Sequence, residues 1–339
     1  MAFFVNELCC LFNLMIYNPS LPIIKPEWYG NPLDKKGRFV NHEFPHIPKF
    51  KDVWRWQTGP RPFKKEKKLD LWKPECLADS LFRRKNDDCI VWLGHAWFFI
   101  RLNGISMLID PVLFNARFLR HRVKQPYPPH AFGEIDYILV SHDHRDHCDE
   151  KSLKRVMRLN PRATILTGLN MSKLLRKWGH NHVVEMGWYQ QFQGFENLKI
   201  SYLPTRHWSR RMLRDTNKRL WGAFVIESDT RSVYFGSDSG YGSHFKELST
   251  MFPNLDYAML GIGAFQPEWF MQPVHMSPAE AVQAFHDSGA KKLIPMHYGT
   301  LDLSDEPAGL PMRLLSQTLD EGKINGQLII PKIGETLWV

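Results

Sequence analysis

A short cluster of histidine and aspartate residues constrains this chain more than any other feature of its sequence. His142, His144, Asp146 and His147 lie within six residues, directly after the apolar run Tyr137–Val140. With 15 histidines in 339 residues, chance matches this pattern in roughly one chain in several hundred. Three imidazoles and one carboxylate at the end of a strand indicate a metal site on a loop that a rigid scaffold positions.

The spacing of this cluster suits two metal ions. His142 and His144 are two residues apart and can project the same way from an extended segment. Asp146 and His147 follow past a turn, so one loop can serve two ions about 3.5–4 Å apart. Such a site needs more ligands, and the candidates that follow other predicted strands are His207, Asp238 and His297. Taken singly, each also fits a surface histidine or a turn-forming aspartate.

The remainder of the chain after residue 90 predicts a layered α/β domain. Short runs rich in Val, Ile, Tyr and Phe alternate with helical patterns. Ser277 and Pro278 are placed to begin a helix, with Glu280 three residues after the serine. The predicted strands are 90–102, 105–109, 137–141, 163–166, 198–204, 222–227, 232–235 and 257–262, and the predicted helices are 150–158, 172–178, 278–287 and 311–319.

The N-terminal quarter has a different composition. Residues 18–85 carry nine of the 23 prolines, with aromatic residues spread among them, which predicts an irregular segment that lies over a folded body. We therefore divide the chain into an extension, 1–85, and a main domain, 86–339. The apolar stretch 2–17 is compatible with a packed surface segment, a membrane-contacting segment or a targeting signal. The run Lys64-Lys65-Glu66-Lys67-Lys68 is read as a solvated patch, with membrane contact as the alternative.

The net charge and the cysteine content indicate the kind of partner and the cellular compartment. The net charge of +9 and the isoelectric point near 9.2 favour anionic partners. No nucleic-acid-binding motif accompanies the charge, which disfavours a nuclease. Five scattered cysteines do not form a disulfide framework, so we expect a reducing compartment, the cytoplasm, with membrane association left open.

Several further motifs now give a family resemblance. The ligand order resembles that of the metallo-β-lactamase superfamily. More narrowly, residues 37 to about 300 are similar to the N-acylphosphatidylethanolamine-hydrolysing phospholipase D group, although Arg145 and Cys148 depart from the pattern and residues 1–36 have no counterpart. The motifs that carry this likeness are Gly37-Arg38-Phe39-Val40-Asn41, Gly94-His95-Ala96, Ile109-Asp110-Pro111, Arg206-His207-Trp208, Gly236-Ser237-Asp238-Ser239-Gly240-Tyr241, Ile262-Gly263-Ala264 and His275-Met276-Ser277-Pro278.

The resemblance implies an αββα sandwich with two zinc ions, for which manganese or iron could substitute. His142, His144 and His207 would bind one ion, Asp146, His147 and His297 the other, and Asp238 would bridge them. Asp146 and His275 are the catalytic candidates, with His275 close to the substrate phosphate. The expected reaction is attack by a hydroxide that bridges the two ions.

Other residues receive weaker assignments. Asp110 is expected to orient a ligating histidine. His95 either lines the pocket or packs beneath it. Arg210 and Arg211 are candidates for binding an anionic substrate or bilayer, and Cys148 is read as a small buried filler.

The predicted function is hydrolysis of N-acylphosphatidylethanolamine-like phospholipids by a dinuclear zinc phosphodiesterase of phospholipase D type. The alternative is a hydrolase of the same fold acting on a lactone, cyclic phosphodiester or other ester. A non-enzymatic module is disfavoured because no expected ligand is missing. The expected partners are a phospholipid or another anionic small molecule and a peripheral membrane surface, and the resemblance also implies a homodimer.

Overall fold

Two seven-stranded sheets dominate the computed structural model, which describes residues 14–41, 43–47, 49–84, 87–114 and 120–339. The first sheet has the strand order β16-β3-β4-β5-β6-β7-β8, and the second has the order β15-β14-β13-β12-β11-β10-β9. A separate antiparallel ribbon joins β1 and β2. The strands are β1 (Leu14–Ile16), β2 (Asn31–Leu33), β3 (Cys89–Gly94), β4 (Trp97–Leu102), β5 (Ile105–Ile109), β6 (Tyr137–Val140), β7 (Thr164–Gly168), β8 (Val183–Met186), β9 (Gln190–Gln193), β10 (Lys199–Leu203), β11 (Ala223–Glu227), β12 (Ser232–Phe235), β13 (Tyr257–Gly261), β14 (Lys292–Met296), β15 (Gln327–Leu328) and β16 (Thr336–Trp338).

Helices cover the outer faces of both sheets. Alternation along β3 and β4 sends Trp92 and Ile100 toward the second sheet, whereas Val91 and Phe99 pack with residues of α3 and α4. Residues of α5, α7 and α8 join the core of the second sheet. The order of layers is therefore helix, sheet, sheet, helix, which confirms the predicted αββα sandwich. The helices are α1 (Phe50–Thr58), α2 (Lys64–Leu69), α3 (Glu150–Leu159), α4 (Ser172–Lys177), α5 (His244–Met251), α6 (Glu268–Met271), α7 (Pro278–Ser288) and α8 (Leu310–Asp320).

The predicted helices form within two residues of their expected ends because their boundary signals are local. At α7, Ser277 accepts a hydrogen bond from the backbone of Glu280, the Glu280 carboxylate binds the backbone of Ser277, and Pro278 fills the first turn. This reciprocal capping satisfies amide groups that a helix start leaves without partners.

The N-terminal residues lie against the main domain through aromatic contacts. Trp28 packs edge-on against Tyr189, with ring centroids 4.9 Å apart. Trp56 stacks on Phe270 at 5.0 Å. The division at residue 85 stays a prediction, and residues 2–13 of the apolar N-terminal stretch, with Cys9 and Cys10, lie outside the described residues. Within the described ranges, no helix has the length and apolar character needed to cross a bilayer.

The core between the sheets can be tested with a matched pair of isoleucines. Ile100 is fully buried, whereas Ile330 is 44% exposed. We expect Ile100→Ala to lower the free energy of unfolding by about 2–5 kcal/mol through lost burial and a residual cavity. Ile330→Ala should change it by less than about 0.5 kcal/mol. Denaturant unfolding measures both, and equal losses would contradict the assignment of Ile100 to the core.

Candidate metal centre

The candidate ligands meet because parallel strands end at the same edge of each sheet. In the first sheet β5 pairs in parallel with β6, so Asp110 and Ser141 follow the two strands side by side. In the second sheet β12, β13 and β14 run in parallel. Strand β10 shares their direction because β11 is antiparallel to both β10 and β12. His207, Asp238 and His297 therefore emerge at one edge, opposite the loop 142–147.

Two groups of four donor residues result. In each group, one ligand atom from every member lies within 4.8 Å of the ligand atoms of the others. The first group is His142, His144, His207 and Asp238, and the second is His95, Asp146, His147 and His297. The seven predicted metal ligands are thus brought together, and His95 joins them.

Hydrogen bonds made by the outer nitrogens determine which ring nitrogens face the centre of the first group. His207 Nδ1 lies 3.1 Å from the carbonyl oxygen of Val274, which can only accept, so this nitrogen carries the proton. Ser141 Oγ donates to Asp110 and therefore accepts from His142 Nδ1, at 3.0 Å. Both rings must then turn an unprotonated Nε2 inward.

These inward lone pairs face each other at short range. His144 Nδ1 lies 3.0 Å from His142 Nε2 and 3.1 Å from His207 Nε2. A single proton on His144 could bond to only one of the two, which would leave the other pair of nitrogens in repulsion. Burial holds the pKa of His142 and His207 well below the ordinary histidine value. Neutral rings with converging lone pairs are the donor set that a cation requires.

The second group combines imidazoles with carboxylates. His147 Nδ1 donates to Asp110 Oδ2 at 2.7 Å, which directs its Nε2 inward, 3.6 Å from Asp146 Oδ2. His297 Nε2 lies 3.7 Å from the same oxygen. Burial alone would raise the pKa of Asp146, but the neighbouring side chains of His147, His297 and His95 lower it well below its ordinary value. Asp146 is therefore an anion available to a metal.

Asp238 lies between the two groups. Its Oδ2 is 3.2 Å from His147 Nε2 and 3.6 Å from His207 Nε2. Its Oδ1 is 3.1 Å from His297 Nε2. One carboxylate that faces both groups fits the predicted bridging role.

Buried polar atoms without hydrogen-bond partners show whether the residues of the two groups suit metal ions. Among the described residues, Nε2 of His147 and His297 and Oδ1 of Asp238 are buried and make no hydrogen bond. Leaving such groups unpaired costs about 1–3 kcal/mol each. These atoms face the second group, and the facing lone pairs of His142, His144 and His207 form the first. The residues present therefore fit two cations.

Two further histidines, His95 and His275, lie beside the predicted metal ligands. His95 is buried beside Asp146, with Nε2 3.1 Å from Oδ2, and its ring lies 4.0 Å from that of His297. Burial lowers the pKa of His95 to about 3 and that of His275 to about 4. His275 is half-buried, joins Asp238 and His297 in a third donor group, and has its ring 5.2 Å from that of His297. Direct contact of either histidine with substrate stays a prediction.

Asp110 is the main support of the ligand loop. Its carboxylate accepts hydrogen bonds from the Ser141 amide at 2.8 Å, the Ser141 hydroxyl at 2.5 Å and His147 at 2.7 Å. Asp110 also has a positive φ of 42°, as do His95 at 54°, Ser237 at 52° and His297 at 59°. Non-glycine residues rarely adopt this conformation, and its presence at four positions around the centre marks a backbone held under strain.

Two arginines hold the same loop from the other side. Arg211 Nη1 donates to the carbonyl oxygens of Asp143, at 3.1 Å, and Cys148, at 2.6 Å. Arg219 Nη1 lies 3.3 Å from the fully buried carboxylate of Asp143, and Asp215 accepts from both terminal nitrogens of Arg219. Arg210 is exposed to solvent. The Arg211 side chain thus contacts the ligand loop. Contact of Arg210 and Arg211 with substrate stays a prediction.

Sequence reasoning did not find the support given by Ser141, Asp143 and Arg219. Ser141 directly precedes His142, so its position beside the motif was a usable signal. Asp143 and Arg219 are 76 positions apart, and no local pattern connects them. Cys148, read as a buried filler, is buried, and burial raises the pKa of its thiol to about 12.

Removing the Asp110 carboxylate should weaken metal binding. We expect Asp110→Asn to lower metal affinity about 10–100-fold, because His147 and Ser141 lose the acceptor that orients them. Metal content after dialysis against a chelator series measures this loss. Asp229→Asn, at an exposed aspartate, is the matched control, and unchanged affinity in Asp110→Asn would contradict the orienting role.

Removing Arg219 should destabilise the protein. Arg219→Gln would leave Asp143 buried without its cation, which costs about 3–5 kcal/mol. The free energy of unfolding of the metal-free protein measures this effect, and Arg214→Gln, an exposed arginine on the same loop, should leave it unchanged.

A second variant separates the buried charge from a general loss of packing. Adding Asp143→Asn to Arg219→Gln should restore part of the stability, because the unpaired charge is then gone. A double variant no more stable than Arg219→Gln alone would show that the ion pair is not the cause.

Comparison with known proteins places this architecture in a family. The family described as "Beta-lactamase superfamily domain" matches residues 106–298. The chain is 33% identical to N-acyl-phosphatidylethanolamine-hydrolyzing phospholipase D 1 of Caenorhabditis elegans, over 62% of this chain and 63% of the relative. It is 30% identical to the mitochondrial N-acyl-phosphatidylethanolamine-hydrolyzing phospholipase D of Saccharomyces cerevisiae, over 72% of this chain and 54% of the relative. The match therefore spans less than two thirds of either relative's length.

A solved structure supports the fold independently. Igni18, a metallo hydrolase from Ignicoccus hospitalis, superposes with a TM-score of 0.57 at 18% identity, covering 74% of this chain and 97% of that protein. This likeness concerns the fold alone. Together with the family match, the sandwich and its edge of strand ends show that the chain belongs to the metallo-β-lactamase superfamily of metal-dependent hydrolases, and it is similar to the N-acylphosphatidylethanolamine-hydrolysing phospholipases D of two organisms.

Proposed function

We propose that this protein is a dinuclear zinc phosphodiesterase of phospholipase D type that hydrolyses N-acylphosphatidylethanolamine-like phospholipids. The observation that carries the proposal is the pair of donor groups at the meeting edge of the two sheets. The Asp238 carboxylate belongs to the first group and also lies 3.2 Å from His147 Nε2 and 3.1 Å from His297 Nε2 of the second. The names of the C. elegans and S. cerevisiae relatives supply the substrate class. In this reaction water replaces the N-acylethanolamine oxygen on phosphorus, releasing N-acylethanolamine and phosphatidic acid.

The ligand assignment follows the donor groups. His142, His144 and His207 would hold one ion, Asp146, His147 and His297 the other, and Asp238 both. Zinc suits this imidazole-rich set, with manganese or iron as substitutes. When bound, two divalent ions lower the pKa of a coordinated water to about 7 and neutralise charge that develops on phosphoryl oxygens.

The charge of the site favours an anionic substrate. Two divalent ions with the carboxylates of Asp146 and Asp238 give a net charge of about +2, because neutral imidazoles add nothing. A phosphodiester carries one negative charge, so the site attracts the proposed substrate class.

The residues around the ligands prepare the site for this reaction. Asp110 and Ser141 fix the tautomers of His147 and His142, so their lone pairs face inward before substrate arrives. Arg211 holds the carbonyl oxygens of the ligand loop. His275 is half-buried beside Asp238 and His297, and we propose that its ring donates a hydrogen bond to a phosphoryl oxygen.

The substrate-binding assignments extend to the loop after His207. Arg210, Met212, Leu213 and Arg214 are exposed at its tip. This composition suits the headgroup region of an anionic lipid, and we propose that Arg210 lies beside bound phospholipid. Peripheral membrane contact and homodimer formation belong to the same proposal.

Asp146→Asn is the variant that tests the proposal. We expect wild-type protein to contain about two metal ions per chain and to release N-acylethanolamine and phosphatidic acid. Asp146→Asn should lose at least about a hundredfold in rate, because the second donor group loses its anionic ligand. Metal analysis and product mass spectrometry on the same preparation measure both quantities.

Other outcomes separate the alternatives. The exposed variant Asp229→Asn should retain wild-type metal content and rate. Two metals without lipid turnover would keep the site and reject the substrate, leaving a lactone, cyclic phosphodiester or other ester for assay. A preparation that binds no metal under any loading condition would refute the proposed centre.

A further inference from the structure

The helices α1 and α2 contribute no buried residue to the protein. Instead, α1 presents Phe50 and Trp54, one helical turn apart, with 81% and 63% of their surfaces exposed. Residues four apart lie on the same face of a helix. Trp269, 44% exposed, lies next to this helix, because the Arg55 guanidinium sits 4.4 Å above its ring. Exposed aromatic side chains grouped in this way mark an interaction site.

The same segment concentrates positive charge. Residues 49–69 contain eight lysines and arginines against two acidic residues, which gives +6 of the chain's net +9. Lys67 is engaged by Asp302 and by the carbonyl oxygen of Ser304. Lys64, Lys65 and Lys68 are exposed. The occupant of this surface therefore carries negative charge.

The combination of lysine with tryptophan and phenylalanine identifies the kind of partner. Lysine is depleted where proteins bind proteins. A helix with aromatic residues on one side and lysine and arginine around it is typical of segments that lie in the headgroup region of a bilayer. We propose that residues 49–69 with Trp269, here called the α1–α2 surface, bind the surface of an anionic lipid bilayer.

Contacts connect this surface to the metal centre. Trp56 stacks on Phe270 of α6, and its Nε1 donates to Asp305 at 2.9 Å. The next residue of α6, Met271, accepts a hydrogen bond from the backbone of His275 at 2.9 Å. A bilayer on the α1–α2 surface is therefore next to the centre, where a phospholipid substrate would enter. This connection rests on the proposed function, whereas binding of the α1–α2 surface to vesicles can be measured without it.

Sedimentation with vesicles tests the surface. The full chain is mixed with vesicles of phosphatidylcholine alone or with 30% phosphatidylglycerol, on the order of a physiological anionic fraction. We expect binding to the anionic vesicles that weakens as salt rises. Phe50→Gln/Trp54→Gln and Lys64→Glu/Lys65→Glu should each weaken binding at least about tenfold, since each removes an insertion or an electrostatic contribution.

Matched variants control for exposure and charge. Phe195→Gln removes an aromatic side chain that is 67% exposed on a different turn. Lys173→Glu/Lys177→Glu reverses two exposed charges on α4. Both should bind as the wild type does. Equal weakening in test and control variants, or no wild-type binding to anionic vesicles, would overturn the proposal.

Hydrolysis of a water-soluble phosphodiester separates this inference from the proposed function. The α1–α2 variants should hydrolyse it at the wild-type rate, while losing turnover of vesicle lipid. Vesicle binding by a protein that hydrolyses no phospholipid would reject the proposed function and keep the surface. Normal turnover of vesicle lipid by variants that no longer sediment would reject the role of the surface.

Discussion

Imidazole lone pairs that face each other at 3.0–3.1 Å are the interaction on which this structure depends. Such an arrangement is repulsive by itself, and it persists only if the surrounding residues hold the rings in place. Acceptors at the outer nitrogens hold two of the three rings: a carbonyl oxygen for His207 and a serine hydroxyl for His142. A carboxylate holds the neighbouring His147 in the same way. The free energy of folding thus maintains a donor set whose stabilising partner is a cation.

The two sheets supply the rigidity that this requires. The first sheet provides the loop 142–147 and Asp110 from neighbouring parallel strands, and the second provides His207, Asp238 and His297 from strands of one direction. Neither sheet alone holds a complete donor group, because His142 and His144 need His207 and Asp238 across the interface. The packing of the sandwich core therefore sets the distances within the site.

The sequence predicted the parts of this arrangement that depend on local pattern. The ligand loop was found because its residues are adjacent, and α7 because Ser277, Pro278 and Glu280 carry its start. His207, Asp238 and His297 were found because each follows an apolar run, and parallel strands bring such positions together. The Arg219–Asp143 pair and the His95–Asp146 contact were not predictable, since each joins segments far apart in the chain. Helix α1 was missed because the prolines of residues 18–85 predicted irregular structure, and because Phe50 and Trp54 are exposed while only Val53 and Trp56 are half-buried.

The positive φ angles around the centre have a consequence for how this protein can change. A residue with a side chain has a higher conformational energy in the left-handed region than glycine has. His95, Asp110, Ser237 and His297 therefore provide their functional groups at the cost of backbone strain. Substitutions selected for thermostability alone would favour smaller or more permissive residues here and would dismantle the donor set in the process. At these four positions, substitutions that increase stability are therefore expected to decrease activity.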